Sequence, residues 1–422
     1  MLIRRASLLD GRVVDIRLGG QIEQVSESLR PQPGEEVFDA GSGTVIPGLH
    51  DHHLHVYSAA AELNSVRVGP QDVRGVDGLA QTLTRAVPGA DGWIRAVGYH
   101  ESVAGPLDRD VLDVLAPANP VRVQHRSGVM WTLNSAGLAA VGLANHPDGR
   151  LRSADPTWSE PLERTEPALD ELSAQLAAYG VTGVTDATPD LDTAVRIRQR
   201  VHVLAPGKRI LHDDALDLEA LISWISDRHT DGVPAAIHCV TAAQLVVAVA
   251  ALRVAGRYPG DRVEHAAMVP ADCIADLAGL GVTVITQPNF VAERGDQYRT
   301  DVPETEQDQL WRLASLLHAG VPVALSTDAP FGGSDPWAAM RAAVHRRSST
   351  GSVLNAAECV DARTALTLFL GSATQPARPR TIAPGQPADV CVLSAPPHEV
   401  LDQLDADLVV ATVIDGATVF TR

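Results

Sequence analysis

Between residues 181 and 328 the chain repeats one construction. A short β-branched apolar run ends on a polar or ionisable residue, and a helical pattern usually follows. The runs stop at Asp186, Leu204, His212-Asp213, His238, His265, Gln287 and Asp328, and an earlier one stops at His55. Helical spacing of apolar residues fills Leu218 to His229, Ala242 to Ala255, Ala271 to Leu280 and Glu306 to Ala319. Strands alternating with helices point to parallel β/α units. Eight such strands suit a (β/α)8 TIM barrel, in which catalytic groups sit at the C-terminal strand ends. One interval breaks the rule: Ala205 to Lys208 alone separates the run ending at Leu204 from the next. A parallel crossover needs about a dozen residues, so one repeat is shortened or one strand is misplaced.

Outside this region the ends of the chain read as β structure. Asp10-Gly11 and Gly19-Gly20 flank the run Val13 to Leu18, and Asp415-Gly416 joins Val409–Ile414 to Thr418–Phe420. Ala388 to Leu393 has the same strand character. Neither end can bury a core alone, so residues 1–46 and 377–422 are expected to pair as one small composite β-sandwich around a barrel of residues 47–376. Residues 57–165 are too many for one βα connection and hold strand-like Ile94–Tyr99 and Val121–Gln124. They are expected to form an inserted cap subdomain.

Composition narrows the function. A formal charge of −18 over 422 residues repels nucleic acid and anionic membranes alike and leaves a small molecule as the expected partner. The longest apolar run, Leu245 to Leu252, is far short of the roughly 20 residues of a membrane span. Charges at Asp10, Arg12 and Asp15 interrupt any signal-like apolar stretch, so a cytoplasmic location is expected. Four scattered cysteines, with no Cys-x-x-Cys pair, indicate neither a disulfide framework nor a thiolate zinc site. The only lysine is Lys208.

The string His50-Asp51-His52-His53-Leu54-His55 carries the chemistry. Residues i and i+2 of a strand face the same side, so His53 and His55 can point together at a divalent cation about 2.0–2.1 Å from each imidazole nitrogen. His50 and His52 form a rival pair of opposite parity. A lone histidine at a strand end is more often a core residue. Asp328 could cap a following helix, but Pro330 and Gly332-Gly333 suggest a loop there, which would leave its carboxylate free.

At this point the chain resembles the amidohydrolase superfamily, and within it the branch of N-substituted formamide deformylases. The elements are Pro47-Gly48-x-x-Asp51-x-His53-x-His55, Gly180 to Asp186, Ile237-His238, Arg262-Val263-Glu264-His265-Ala266, Ser326-Thr327-Asp328-Ala329-Pro330 and Gly385-x-x-Ala388-Asp389, in the family's order. The resemblance implies that His53, His55, His238, His265 and Asp328 surround zinc or another divalent metal, with one ion favoured over two. It also implies hydrolysis of a C–N bond in an amide, formamide or cyclic amide by metal-activated hydroxide. Asp328 would serve as base as well as ligand, and His265 would bind a second metal or polarise the carbonyl. The pattern favours His53 and His55 over the rival pair, and a homodimer would match many relatives.

Two departures are visible. Many relatives carry on the fourth strand a carbamylated lysine four residues before an aspartate; here Arg209 holds that spacing to Asp213, and Lys208 lies one residue off register. Arg209 could then replace a second metal with its fixed charge. The segment His125 to Trp131 resembles a substrate-side loop that often ends Gly-His, and Val129 stands in the histidine's place. Arg126 and Trp131 are candidates for substrate binding there, against ordinary packing; Phe290 and Phe331 are weaker ones. Glu264, beside His265, is expected to be structural. The competing functions are deamination of a heterocycle or amidine and a catalytically silent barrel used as a scaffold.

Overall fold

The computed structural model describes the whole chain except residues 117, 163–166, 190, 192 and 193. It divides into two compact units, Met1–Val56 with Asp170–Arg422, and Tyr57–Leu169.

The first unit is mixed α/β. Eight parallel strand segments lie in two sheets: β1 (Leu49–Leu54), β2 (Val181–Asp186) and β3 (Arg200–Val203) in one, and β4 (Lys208–Ile210), β5 (Ala236–Cys239), β6 (Arg262–His265), β7 (Thr283–Thr286) and β8 (Val323–Leu325) in the other. Their order is β3-β2-β1 and β4-β5-β6-β7-β8. The described residues form no strand ladder between β3 and β4 or between β8 and β1, so no closed barrel is seen. At the C-terminal ends, however, Asp328 N donates to His53 O (2.9 Å) and His55 N to Ala329 O (2.8 Å), joining the segment after β8 to β1.

Local chemistry explains the better-formed repeats. The helix Ala242–Ala255 starts at a capping box in which Thr241 and Gln244 satisfy each other's backbone N–H. The helix Ala271–Leu280 ends on Gly281 at φ +63, a left-handed position that costs glycine little. The expected helix Glu306 to Ala319 is instead a 3-10 turn, Glu304–Gln309, followed by a short helix, Leu313–His318. Trp311 at φ +52 breaks it, and its N–H is drawn to Ala267 O (2.8 Å). The strands also end earlier than the apolar runs suggest: β4 stops at Ile210 and β8 at Leu325. Between β3 and β4 only residues 204–207 intervene, too few for a helix.

The chain ends supply two four-stranded sheets. One is made within residues 2–39; the other joins Val45–Pro47 antiparallel to Val390–Leu393, followed by Val409–Ile414 and Ala417–Thr421. Ile3, Ile16 and Ile22 from the first share one buried apolar cluster with Val45, Val390 and Val413 from the second.

The second unit holds a five-stranded sheet in which Ile94–Tyr99 and Val121–His125 run parallel. One core cluster is built around Leu79, Leu83, Ile94, Leu112 and Val123; another holds Trp93, Trp131, Leu133 and Trp158. Among the described residues no helix is long and apolar enough to cross a membrane.

Candidate metal centre

At the C-terminal end of β1, ligand atoms of His53, His55 and Asp328 lie within 4.8 Å of one another. Each imidazole Nε2 is 3.5 Å from Asp328 Oδ1. Asp328 stands three residues beyond β8 at φ +57, a backbone conformation uncommon outside glycine, asparagine and aspartate. Asp51 holds that loop by accepting from Thr327 N (3.1 Å) and Thr327 Oγ1 (2.5 Å), and burial pushes the Asp51 carboxyl up to about 7. No helix follows directly: Phe331 N and Gly332 N turn back onto Asp328 O, and the next helix starts at Pro336. The Asp328 side chain therefore caps nothing.

His265 and His238 extend the cluster. The His265 ring lies 4.8 Å from that of His53 and 4.4 Å, edge-on, from that of His238. His265 Nδ1 is 3.8 Å from Asp328 Oδ2. His265 is the last residue of β6 and has φ +69, followed by Ala266 at +47, so the chain bends sharply where this imidazole leaves the strand.

Hydrogen bonds fix which nitrogens are free. Glu264, fully buried, accepts from His53 Nδ1. Gln287 gives its amide N–H to Ser326 Oγ (2.8 Å), so its oxygen accepts from His265 Nδ1 (2.9 Å). His55 Nδ1 is 3.5 Å from Thr188 Oγ1. Donation through Nδ1 leaves Nε2 of His53 and His265 as lone-pair nitrogens. Both of these atoms, together with Asp328 Oδ1 and Lys208 Nζ, are buried with no hydrogen-bond partner among the described residues. Burial, aided by the Lys208 ammonium, lowers His238 to about 3, and burial holds His53 and His265 well below the usual imidazole value. These imidazoles are neutral at physiological pH, the state a metal requires. Neutral imidazoles and a carboxylate around orphaned lone pairs fit a zinc-type ion.

Three further residues weighed from the sequence have defined surroundings. Glu264, expected to be structural, touches a candidate ligand directly. It is itself clamped by Arg262, which donates from Nε and from Nη2 (3.0 Å) and also bonds His52 O (2.5 Å). The signal was the i, i+2 spacing of Arg262 and Glu264, which puts both on one strand face. Arg209 is not at the cluster; its guanidinium lies 5.3 Å from the Trp224 ring, and Ile210 beside it is exposed. Lys208 is buried at the start of β4, and burial lowers its amine to about 8 despite the raising influence of Glu264 and Asp328.

The remaining candidates are dispersed. His50 bonds Thr185 Oγ1 (2.9 Å), while both nitrogens of His52 are buried without a partner. Phe331 meets His55 edge-on at 5.2 Å, whereas Phe290 packs with Trp311 in a core cluster. Arg126 and Trp131 belong to the second unit, where Trp131 packs among Trp93, Leu133 and Trp158 with Arg95 and Arg122 against its ring.

Comparisons with known proteins follow the same line. The profile of the Amidohydrolase family matches residues 36–420. An N-substituted formamide deformylase of Arthrobacter pascens is 24% identical, with 92% of this chain and 91% of that protein aligned. A Bacillus subtilis (strain 168) protein with an amidohydrolase name, YtcJ, is 27% identical over 96% of this chain and 94% of its own. Among solved structures, an uncharacterized metal-dependent hydrolase of Pyrococcus horikoshii OT3 superposes with a TM-score of 0.74 at 18% identity, covering 95% of this chain and 98% of that one.

Proposed function

The chain belongs to the amidohydrolase family and is a metal-dependent hydrolase of carbon–nitrogen bonds; from that premise we propose that it hydrolyses an amide, formamide or cyclic amide of a small molecule at His53, His55, His238, His265 and Asp328. The observation that carries this reading is the convergence of His53, His55 and Asp328 within 4.8 Å, with the lone pairs of His53 Nε2, His265 Nε2 and Asp328 Oδ1 left unused. The name of the Arthrobacter pascens relative supports the formamide class. We read the eight parallel strands as one barrel wall, which the bonds between His53, His55 and the loop 328–329 support. The two terminal sheets are read as one sandwich because they share a core.

When bound, a divalent cation supplies Lewis acidity that polarises a carbonyl oxygen and lowers the pKa of water to about 7. The protein's own residues do the rest. Asp328 accepts a proton at its unpartnered Oδ1 and returns it to the departing nitrogen, as general base and then general acid. His53 and His265 present Nε2 because Glu264 and Gln287 hold their Nδ1 protons. With that tautomer His265 has no Nε2–H to give a carbonyl, so its part is that of a ligand. Phe331 confines the His55 ring.

Lys208 would support a second arrangement within the same function: as a carbamate it would offer oxygen ligands to a second cation. Formation of that group joins a neutral Nζ to carbon dioxide with loss of a proton, and an amine lowered to about 8 supplies the neutral form near physiological pH. The deciding experiment is metal analysis of the purified protein beside a screen of formamides, amides, cyclic amides and aminated heterocycles. Release of an organic amine, with formate or another acid, is expected. Ammonia from a heterocycle instead makes the protein a deaminase, and no turnover of any class by the metal-loaded protein removes the proposal.

A further inference from the structure

A cavity of about 780 Å3 lies away from the metal centre, within the first unit. Its lining includes Ala236, Arg262 and Thr283, the first residues of β5, β6 and β7, so it opens at the N-terminal ends of the parallel strands. One wall is Val203 to Pro206, the shortened crossover between β3 and β4, where a regular repeat would place a helix. Val233, Pro234, Pro259 and Pro376 give the rest of the lining apolar surface, and Thr283, Thr374 and Gln375 add polar groups.

The charges around this cavity run against those of the protein. The chain carries −18 overall, yet the lining holds Arg262, Arg378 and His202 and no aspartate or glutamate. Arg262 is only 4% exposed. Its Nε and Nη2 are engaged by Glu264 and the His52 carbonyl, and the same guanidinium-bearing residue lines the cavity. Arg378 is exposed at the rim. A buried and an exposed guanidinium lining one chamber can bind an oxyanion through charge-assisted hydrogen bonds, and its apolar side chains take up a hydrocarbon body.

We propose that this cavity is a second binding site, for a small amphipathic carboxylate whose anionic head meets Arg262 and Arg378 and whose apolar body fills the space between Val203, Val233 and Pro259. None of His53, His55, His238, His265 and Asp328 is among its lining residues. Burial and the nearby Arg262 keep His202 neutral more readily than a free imidazole, so at neutral pH the attraction comes from the two arginines. The proposal does not depend on which carbon–nitrogen bond the enzyme cleaves.

The test uses 4-fluorobenzoate as probe, followed by 19F NMR with the zinc-loaded full-length protein, and 4-fluorobenzyl alcohol as its neutral counterpart. Saturable binding of the carboxylate is expected, with the alcohol and Arg378→Glu each weaker by at least about tenfold, the worth of one charge-assisted hydrogen bond. Val233→Trp, which sets a bulky ring on the apolar side of the chamber, should weaken binding. Asp328→Asn should leave binding intact, because the probe does not occupy the metal centre. Loss of binding in Asp328→Asn, indifference to Arg378→Glu, or absence of saturable binding overturns the proposal. Since Arg378 is exposed, its variant decides the matter even if Val233→Trp fails to fold.

Discussion

Glu264 touches the candidate ligand His53 at Nδ1 through Oε2 while accepting from Arg262 at both of its oxygens. A residue adjacent in sequence to His265 thus supports the histidine of a different strand. Partners of this kind orient a metal-binding imidazole and raise its basicity.

Replacing Glu264 should therefore act on the metal before it acts on substrate. Glu264→Gln keeps the shape and an acceptor oxygen but loses the charge, and is expected to weaken zinc affinity by about 10- to 100-fold. Competition with a chromogenic chelator measures this. Glu264→Ala also strands the buried Arg262 and should cost about 3–5 kcal/mol of stability in denaturant unfolding. Unchanged zinc affinity in Glu264→Gln would make the contact incidental.

Asp328→Asn removes the proposed proton carrier with little change of volume. The catalytic rate should fall by about 10²- to 10⁴-fold, the usual contribution of a positioned general base, while circular dichroism stays that of the parent. Turnover close to the parent's in a folded variant eliminates Asp328 as the base.

Stability of the metal-free protein should depend on pH in a defined direction. Burial lowers His238 to about 3 and pushes His50, His52, His53 and His265 down as well. The unfolded chain titrates these groups near 6.5. Below that value it binds protons that the folded state refuses, so stability falls as pH drops from about 6.5 toward 3, by up to about 1.4 kcal/mol per pH unit for each histidine. Denaturant midpoints between pH 7.5 and about 4.5 test the slope; a flat profile would mean that these imidazoles are protonated in the fold.

Lys208→Met keeps a buried chain of similar length without the amine. If a carbamate joins two ions, the variant should hold one metal per chain where the parent holds two, and 13C-labelled bicarbonate should give a protein carbamate signal in the parent alone. One metal in both proteins, and no such signal, restores the single-ion centre.

The candidate ligand positions could be picked out in the sequence because strand ends are marked by chemistry. His53, His55 and Asp328 stop apolar runs, and period-two alternation pairs the two histidines. Where the chain leaves regular geometry, that logic weakened. The parity argument that set Glu264 aside assumed a strand continuing straight through His265, whose positive φ bends the chain instead. The same argument counted against Lys208, one residue off the expected spacing, while Arg209, which holds that spacing, has its guanidinium against Trp224. A helix read across Glu306 to Ala319 failed at Trp311, because a long-range bond to Ala267 outweighed local propensity there. The cavity beneath the strands has no sequence signature. Its lining comes from five regions of the chain, around 202–206, 232–236, 259–262, 283 and 373–378, and only the short interval before Lys208 hinted that something was missing from the wall.

That solitary lysine has a practical consequence. Every other residue of the Lys and Arg total is arginine, so an acylating reagent selective for ε-amines has a single target in this sequence, and folding has hidden it. The pace at which such a reagent modifies Lys208 under native conditions would report how often the interior around it opens, without any engineered label.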